Sequence, residues 1–287
     1  MSIGLVLNGG GGKGAYQIGV WKHLKEKNIS LDYISGTSAG GLNAALIASG
    51  DLDKAIGLWT NLKPGTVREI DNKRILAILY QLVAITAEAL FLRNSSKTKM
   101  LGKEIARSTA LLLKSRQILS VFIEKGIFSI QPLRELIKNN IDVRKLPKHP
   151  TIFLTVVKNH PLYFFGDKQY INFTYSHNSI KEGLLLATSA IPLVFPNCEI
   201  GNVQYSDGGI PKLGDNSPVD PLYIRDCKTL IVVHSHPRSK TNKKNYSRSE
   251  IIDISPKDDL GSFLKFDGKS AKRLIDLGYK DAKRIIR

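Results

Sequence analysis

The sequence predicts an α/β fold on a mainly parallel sheet, with a helical insertion. Three observations carry this. Over the first fifty residues, short apolar runs suited to buried strands alternate with segments of helical period. The first two such runs each break into a glycine-containing turn that opens a helix, as a parallel crossover requires. After a long helical stretch, β-rich runs return in the second half. The 287-residue length is ample for a buried core, and 42% hydrophobic residues with no long polar tract exclude wholesale disorder.

The elements follow in order. Ile3 to Leu7 reads as a strand running into glycines 9 to 12 and Gly14. From Ala15, Ile18, Val20, Trp21 and Leu24 keep helical spacing to about Lys27. Leu31 to Ile34 is a second strand, followed by the turn Gly36-Thr37-Ser38-Ala39-Gly40 and a helix over Leu42 to Ala48. Leu52 to Asn140 is helical in pattern with no convincing strand. Strands are expected at Ile152 to Val157, Leu162 to Phe165, Tyr170 to Phe173, Val203 to Tyr205 and Leu230 to Val233. A helix over Lys181 to Ser189 stops before Pro192, and a last one covers Lys269 to Arg287, its basic end complementing the helix dipole. Arg238 to Arg248 is a polar, basic stretch that reads as a solvated loop and the one linker candidate. No internal repeat is present.

Composition limits the function classes. With 42 Lys+Arg against 25 Asp+Glu, a net charge of +17 implies attraction to a polyanion, either nucleic acid or an anionic membrane surface. Cys198 and Cys227 are too few for a disulfide framework and lack metal-ligand spacing, so they read as reduced buried thiols. The N-terminus has neither a basic n-region nor an apolar h-region, so no Sec-type signal is expected. The chain reads as cytoplasmic or peripherally membrane-bound, with non-Sec export left open. Ile75 to Leu92 is apolar and near the lower length limit for a span, but Gln81 and Glu88 interrupt it; it reads as a non-spanning helix.

Three clusters carry chemistry, each ambiguous alone. Gly9-x-Gly11-x-x-Gly14 lies between strand and helix, so its N–H groups suit either a pyrophosphate or the oxyanion of a tetrahedral intermediate. A Rossmann-type dinucleotide reading needs an acidic ribose ligand; Asp32 lies at the wrong end of its strand. A Walker A reading fails because Gly14 follows Lys13 where Ser or Thr must stand. Gly36-Thr37-Ser38-Ala39-Gly40 fits a nucleophile elbow, whose small residues let the backbone crowd while holding the Ser hydroxyl out. Asp207-Gly208-Gly209 is either a plain turn or a carboxylate held as a general base.

Taken together, these clusters make the chain resemble the patatin-like phospholipases. Four segments match in the family's order: NGGGGKGAYQIGV (8–20), GTSAGGLNAAL (36–46), ATSAIPLVFP (187–196), and DGG (207–209) with DNSPVDPL (215–222). The resemblance implies a three-layer α/β/α sandwich and a Ser-Asp dyad that works without histidine, metal or cofactor. It puts Ser38 as nucleophile and Asp207 as base, with backbone donors from Gly10, Gly11 and Gly12, joined by Ala39. Lys13 takes the basic position after the loop. Asn8 stands where some relatives have Asp, and IPKLGD (210–215) reads as slightly extended. The implied reaction is hydrolysis of a phospholipid or acylglycerol ester through an acyl-serine. The whole chain reads as a single domain, with a cap-like helical segment at about 52–150 that carries no motif.

Asp71 to Lys125 holds ten basic and four acidic residues, which suggests contact with an anionic membrane. No nucleic acid is expected, since no helix-turn-helix, finger or RNA-binding motif appears. The order Ser38, Asp207, then His234 or His236 also suits an α/β-hydrolase triad, but there the elbow comes later, after several strands. The remaining histidines 23, 149, 160 and 177 show no ligand spacing, so no metal is expected.

Overall fold

The computed structural model describes residues 2–63, 65–67, 69–70, 72, 75–76, 126–160 and 166–287. The strand expected at 162–165 lies outside these, as does nearly all of the 75–92 helix and the basic 71–125 segment. Strand β1 (Ile3–Leu7) leads through a 3₁₀ turn (Gly11–Gly14) into helix α1 (Ala15–Glu26). Then come β2 (Tyr33–Thr37), α2 (Ala39–Ala48) and α3 (Leu52–Thr60). A short antiparallel pair, β3 (Glu69–Ile70) and β4 (Phe128–Ser129), precedes α4 (Gln131–Asn140). The second half holds β5 (Thr151–Asn159), β6 (Gly166–Asn172), α5 (Asn178–Thr188), β7 (Cys198–Ile200) and β8 (Val203–Asp207). It ends with α6 (Asp220–Tyr223), β9 (Thr229–Val233), β10 (Glu250–Ile254) and α7 (Gly268–Ile285).

The eight-stranded sheet runs parallel in the order β10-β9-β1-β2-β5; β6 and β8 pair antiparallel with β5, and β7 pairs antiparallel with β8. Period-two alternation splits its apolar residues between two cores. Leu5, Leu7, Ile231 and Val233 enter the larger one with α1, α2, α3, α5 and α7, while Val6, Leu230 and Val232 enter the smaller with Leu222 of α6. Strands buried on both faces read as continuous apolar runs, and helices on both faces make three layers. Against the larger core, α1 and α7 pack closely because Gly19 and Gly278 lack side chains; a Cβ on either would strike a carbonyl of the other helix. Asp267 caps the start of α7 by accepting from Ser270 N at 2.9 Å.

Several expectations need correction. β2 starts at Tyr33, because Leu31 only packs into the core and Asp32 instead accepts Ile3 N on its carboxylate at 2.7 Å. The 52–140 stretch holds the β3–β4 pair, two residues a strand and too short to leave a periodic signal. β7 and β10 were not expected, being a three-residue edge and an acidic EIIDI run. The 238–248 stretch forms part of the connection between parallel neighbours β9 and β10. It is tied down by Lys243 Nζ to Ile251 O at 2.9 Å and by Tyr246 OH to Asp220 at 2.9 Å. Cys198 and Cys227 are free and buried. Among the described residues no helix is long and apolar enough to cross a membrane, and no cluster of three or more His, Cys, Asp or Glu could hold a metal.

Candidate active site

The sheet itself brings the Ser and Asp clusters together. β6 occupies one edge of β5 from Phe153 to Asn159. β2 pairs with β5 up to Thr155 and β8 pairs with it from Val156, so both lie on the opposite edge, end to end. Because β2 is parallel to β5 and β8 antiparallel, their C-terminal ends meet. Thr37 sits beside Thr155, and Asp207 sits beside Val156. Ser38 follows Thr37, so nucleophile and carboxylate candidates converge on one seam, 169 residues apart in sequence but adjacent in space.

Ser38 sits in a strained elbow. Its φ of 56° lies in a region L side chains rarely adopt. The bend fits because Gly36 and Gly40 have no Cβ: one on Gly36 would strike the Gly40 backbone, and one on Gly40 would strike Leu7. Thr188 fixes the turn, accepting Ser38 N at 2.9 Å and donating to Thr155 O at 2.7 Å. Ser38 is also the N-cap of α2, yet its side chain makes no capping bond. The hydroxyl is therefore left for other chemistry, and Ala39 N–H, at a positive helix end, makes no hydrogen bond among the described residues.

Asp207 ends β8 and is fully buried. Its Oδ1 accepts from Gly209 N at 2.6 Å, and Gly208 has no room for a side chain against Thr155. Oδ2 is buried without a hydrogen-bond partner among the described residues. Burial pushes the carboxyl up to about 7, while the Ser38 hydroxyl and Gly209 N–H pull it back down. The Ser38 hydroxyl thus faces the carboxylate closely enough to stabilise its charge, in a geometry short of a closed hydrogen bond. Apo sites commonly hold such pairs open.

The glycine loop forms the third wall. A Cβ on Gly9 would come within 3.3 Å of Ser38 Cβ, so the loop abuts the serine directly. Asn216, which sequence reasoning did not single out, ties the loop down: its carbonyl accepts Gly9 N at 3.1 Å, and its Nδ2 reaches Gly9 O at 3.4 Å. Gly12 N already donates to Phe263 O at 2.7 Å, so it differs from Gly10 and Gly11, whose N–H groups make no hydrogen bond among the described residues. Gly14 packs against Ala39 and Trp59, and its carbonyl accepts from Asn43 Nδ2 at 2.9 Å. Lys13 pairs with Asp259 at 3.2 Å. The 210–215 loop closes on itself, with Asp215 N on Gly208 O at 2.6 Å.

The competing assignments fare differently. Asp32 lies where β1 and β2 begin, whereas the glycine loop lies at their far ends, so a bound ribose could not reach it. His234 is buried between Asp253, 2.8 Å from Nε2, and Asn8, 3.4 Å from Nδ1. Burial raises the Asp253 carboxyl, but hydrogen bonds from His234 and Thr241 outweigh this and hold it below its ordinary range. His236 lines the cleft, and neither histidine bonds to Ser38 or Asp207.

Two spaces meet at Ser38. An open cleft of about 780 Å³ takes in Ser38, Asp207, the glycine loop, Lys13, Lys212 and His236. A narrow apolar cavity of about 60 Å³ runs inward between Leu42 and Leu46 of α2, Trp59 of α3, and Leu133 and Ile137 of α4. The inner cavity is lined almost wholly by hydrocarbon, whereas the cleft adds Lys13, Lys212, Asp215, Asn216 and His236 to a lining that is otherwise largely apolar, a combination an amphipathic ester would need.

Known proteins resemble this chain in sequence and fold. A stretch of 47 residues is 55% identical to Lysophospholipase nte1 of Aspergillus terreus, covering 16% of this chain and 3% of that protein. Neuropathy target esterase sws of Drosophila persimilis is 50% identical over 48 residues, 17% of this chain and 3% of its own length. The chain thus spans a small fraction of these curated relatives. The structure of VipD from Legionella pneumophila superposes with a TM-score of 0.54 at 16% identity, covering 99% of this chain and 66% of VipD, which shows a shared fold. The family described as Patatin-like phospholipase matches residues 5–223, a span that takes in the glycine loop, the Ser38 elbow and the Asp207 turn. The chain belongs to the patatin-like phospholipase family.

Proposed function

We propose that this chain is a lipid acyl hydrolase in which Ser38 and Asp207 act as a nucleophile–base dyad. The observation that carries the reading is the end-to-end meeting of β2 and β8 on one edge of β5. Asp207 takes the Ser38 proton as Oγ attacks the acyl carbonyl. The oxyanion is received by Gly10, Gly11 and Ala39 N–H groups; Gly12 serves only if its bond to Phe263 O opens. The acyl-oxygen bond breaks, and the alcohol or lysolipid leaves with the proton from Asp207. Water, deprotonated by Asp207, then attacks acyl-Ser38; the fatty acid departs and Ser38 regains its proton. The acyl chain lies in the apolar cavity and the polar part of a phospholipid or acylglycerol in the cleft. The whole chain acts as one catalytic domain that needs no cofactor and meets its substrate at an anionic membrane surface.

A fluorophosphonate probe followed by peptide mapping tests this directly. Ser38 is labelled, and Ser38→Ala abolishes labelling; a probe on any other serine overturns the assignment. The pH dependence has a fixed sign. Only ionised Asp207 can accept a proton, and its carboxyl is pushed up to about 7, so kcat/KM falls about tenfold per unit as pH drops below 7. A rate flat from pH 5 to 8 would remove Asp207 from the role of base.

Chain length gives a second prediction. Leu46 and Ile141 line the apolar cavity and also a separate, polar depression of about 210 Å³ beside Asp51, Lys54, Asp142 and Lys145. They therefore stand between the two spaces. Leu46→Ala joins the two spaces and raises the ratio of long-chain to short-chain ester turnover. Leu→Ala in a core also costs about 2–5 kcal/mol, but a ratio on one sample is unaffected by the fraction unfolded.

A further inference from the structure

We propose that Ser235 is a positioning residue that aims the Gly10 N–H at the reaction centre. The inference rests on the dyad reading above and names a residue outside the dyad and the glycine loop. Ser235 follows His234 just past the end of β9 and is buried. Its Oγ donates to Gly9 O at 2.6 Å. The peptide group is planar and trans, so its C=O and the N–H of the next residue point in opposite directions. Holding Gly9 O against β9 therefore turns Gly10 N–H the other way. That N–H makes no hydrogen bond among the described residues, and Gly10 lines the cleft with Ser38 and Asp207.

The surroundings make the hold a rigid one. A Cβ on Gly10 would lie 2.9 Å from Ser235 Cβ, so the two residues are in direct contact. The preceding peptide is pinned at both ends, with Gln17 Nε2 on Asn8 O at 2.6 Å and Gly9 N on Asn216 O. The strand end carrying Ser235 is itself fixed by the buried His234–Asp253 pair, with Thr241 Oγ1 on Asp253 at 2.7 Å. Without the Ser235 hydroxyl, Gly9 O keeps, among the described residues, only the longer 3.4 Å contact from Asn216 Nδ2. The Gly9–Gly10 peptide can then rotate, and the oxyanion loses a pre-aimed donor.

The test compares wild type, Ser235→Ala, Ser235→Thr and Ser235→Cys on a soluble short-chain ester, together with inhibition by a trifluoromethyl ketone. The ketone forms a tetrahedral adduct on the nucleophilic serine and so needs the oxyanion donors, whereas an unreactive ether analogue needs only the binding cleft. Ser235→Ala should lower kcat by about ten- to a hundredfold, up to the loss known for removing one donor outright, with KM within about twofold. Ketone affinity should fall by the same factor and ether affinity should not change. Ser235→Thr restores the donor and most of the rate. Ser235→Cys, of similar volume but with a weak donor, falls between Ala and wild type and serves if the Ala variant does not fold.

Unchanged kcat and ketone affinity in Ser235→Ala overturn the proposal while leaving the dyad intact. Parallel losses for ketone and ether also overturn it, because they show a general disturbance of the cleft. A wild-type protein that neither turns over esters nor binds the ketone overturns the dyad reading and this inference with it.

Discussion

Ser38→Ala and Asp207→Asn should each lower kcat/KM for ester hydrolysis by about 10⁴-fold or more, and the double variant should be hardly worse than either single one. The reason is mechanical. On the proposed dyad, Ser38 Oγ is a weak nucleophile until its proton has somewhere to go, and Asp207 keeps a buried oxygen, Oδ2, that has no hydrogen-bond partner among the described residues. Asp207→Asn keeps the shape and the Gly209 contact but removes the basic lone pair, so the serine stays protonated. Steady-state kinetics on a soluble ester measure the effect, with circular dichroism confirming that each variant is folded. Losses that multiply in the double variant would mean that the two residues act separately, and the dyad would be abandoned. Fluorophosphonate labelling divides the steps further: Asp207→Asn slows it steeply and Ser38→Ala removes it.

The parts of this arrangement written in consecutive residues are legible in the sequence. A strand breaking into Gly9–Gly14, a small-residue turn around Ser38 and an Asp-Gly-Gly turn are local patterns, and local sterics alone demand them. The parts that depend on tertiary meeting were not legible. Nothing in the run VQYSD indicates that β8 takes over the edge of β5 where β2 stops. Thr188, Asn216 and Ser235 are ordinary polar residues until the fold brings them to Ser38 N, Gly9 N and Gly9 O.

Gly12 shows the same limit from the other side. The motif makes it look equivalent to Gly10 and Gly11, but its N–H is engaged by Phe263 O, from a loop some 250 residues downstream. His234 looked available as a base because it ends a strand near the site. In the fold it is occupied by Asp253, whose strand β10 is short and carries two acidic residues in five, so it leaves no apolar run in the sequence.

Asp207→Asn should also make the protein more stable at pH 8 while making it inactive. The folded carboxyl is pushed up to about 7, whereas its ordinary value, which applies to the unfolded chain, is 3.8. Below pH 3.8 both states carry the proton and the group costs nothing. Between 3.8 and 7 the unfolded chain releases the proton and the native state keeps it, so the stability this group contributes drains away with rising pH. Above 7 it is lost entirely, and the penalty levels off at about 4 kcal/mol, from about 1.4 kcal/mol per unit. This is an upper figure, since the Asn amide takes over the Oδ2 position and must find its own partner there.

Asn has no charge to bury and escapes the penalty. Its melting temperature should exceed wild type at pH 8 by up to roughly 8–16 °C, taking about 2–4 °C per kcal/mol on that upper figure. The gap should narrow steadily as the pH is lowered toward 4. Calorimetric melts at pH 8, 6 and 4 give the answer. A wild type as stable as Asp207→Asn at pH 8 would mean the carboxylate is already well solvated or paired, and the strained base would lose its physical basis. The opposite ordering would mean the charged form holds the turn together. The expected ordering identifies Asp207 as a group the fold keeps at a cost to its own stability, which is the usual sign of a residue retained for chemistry.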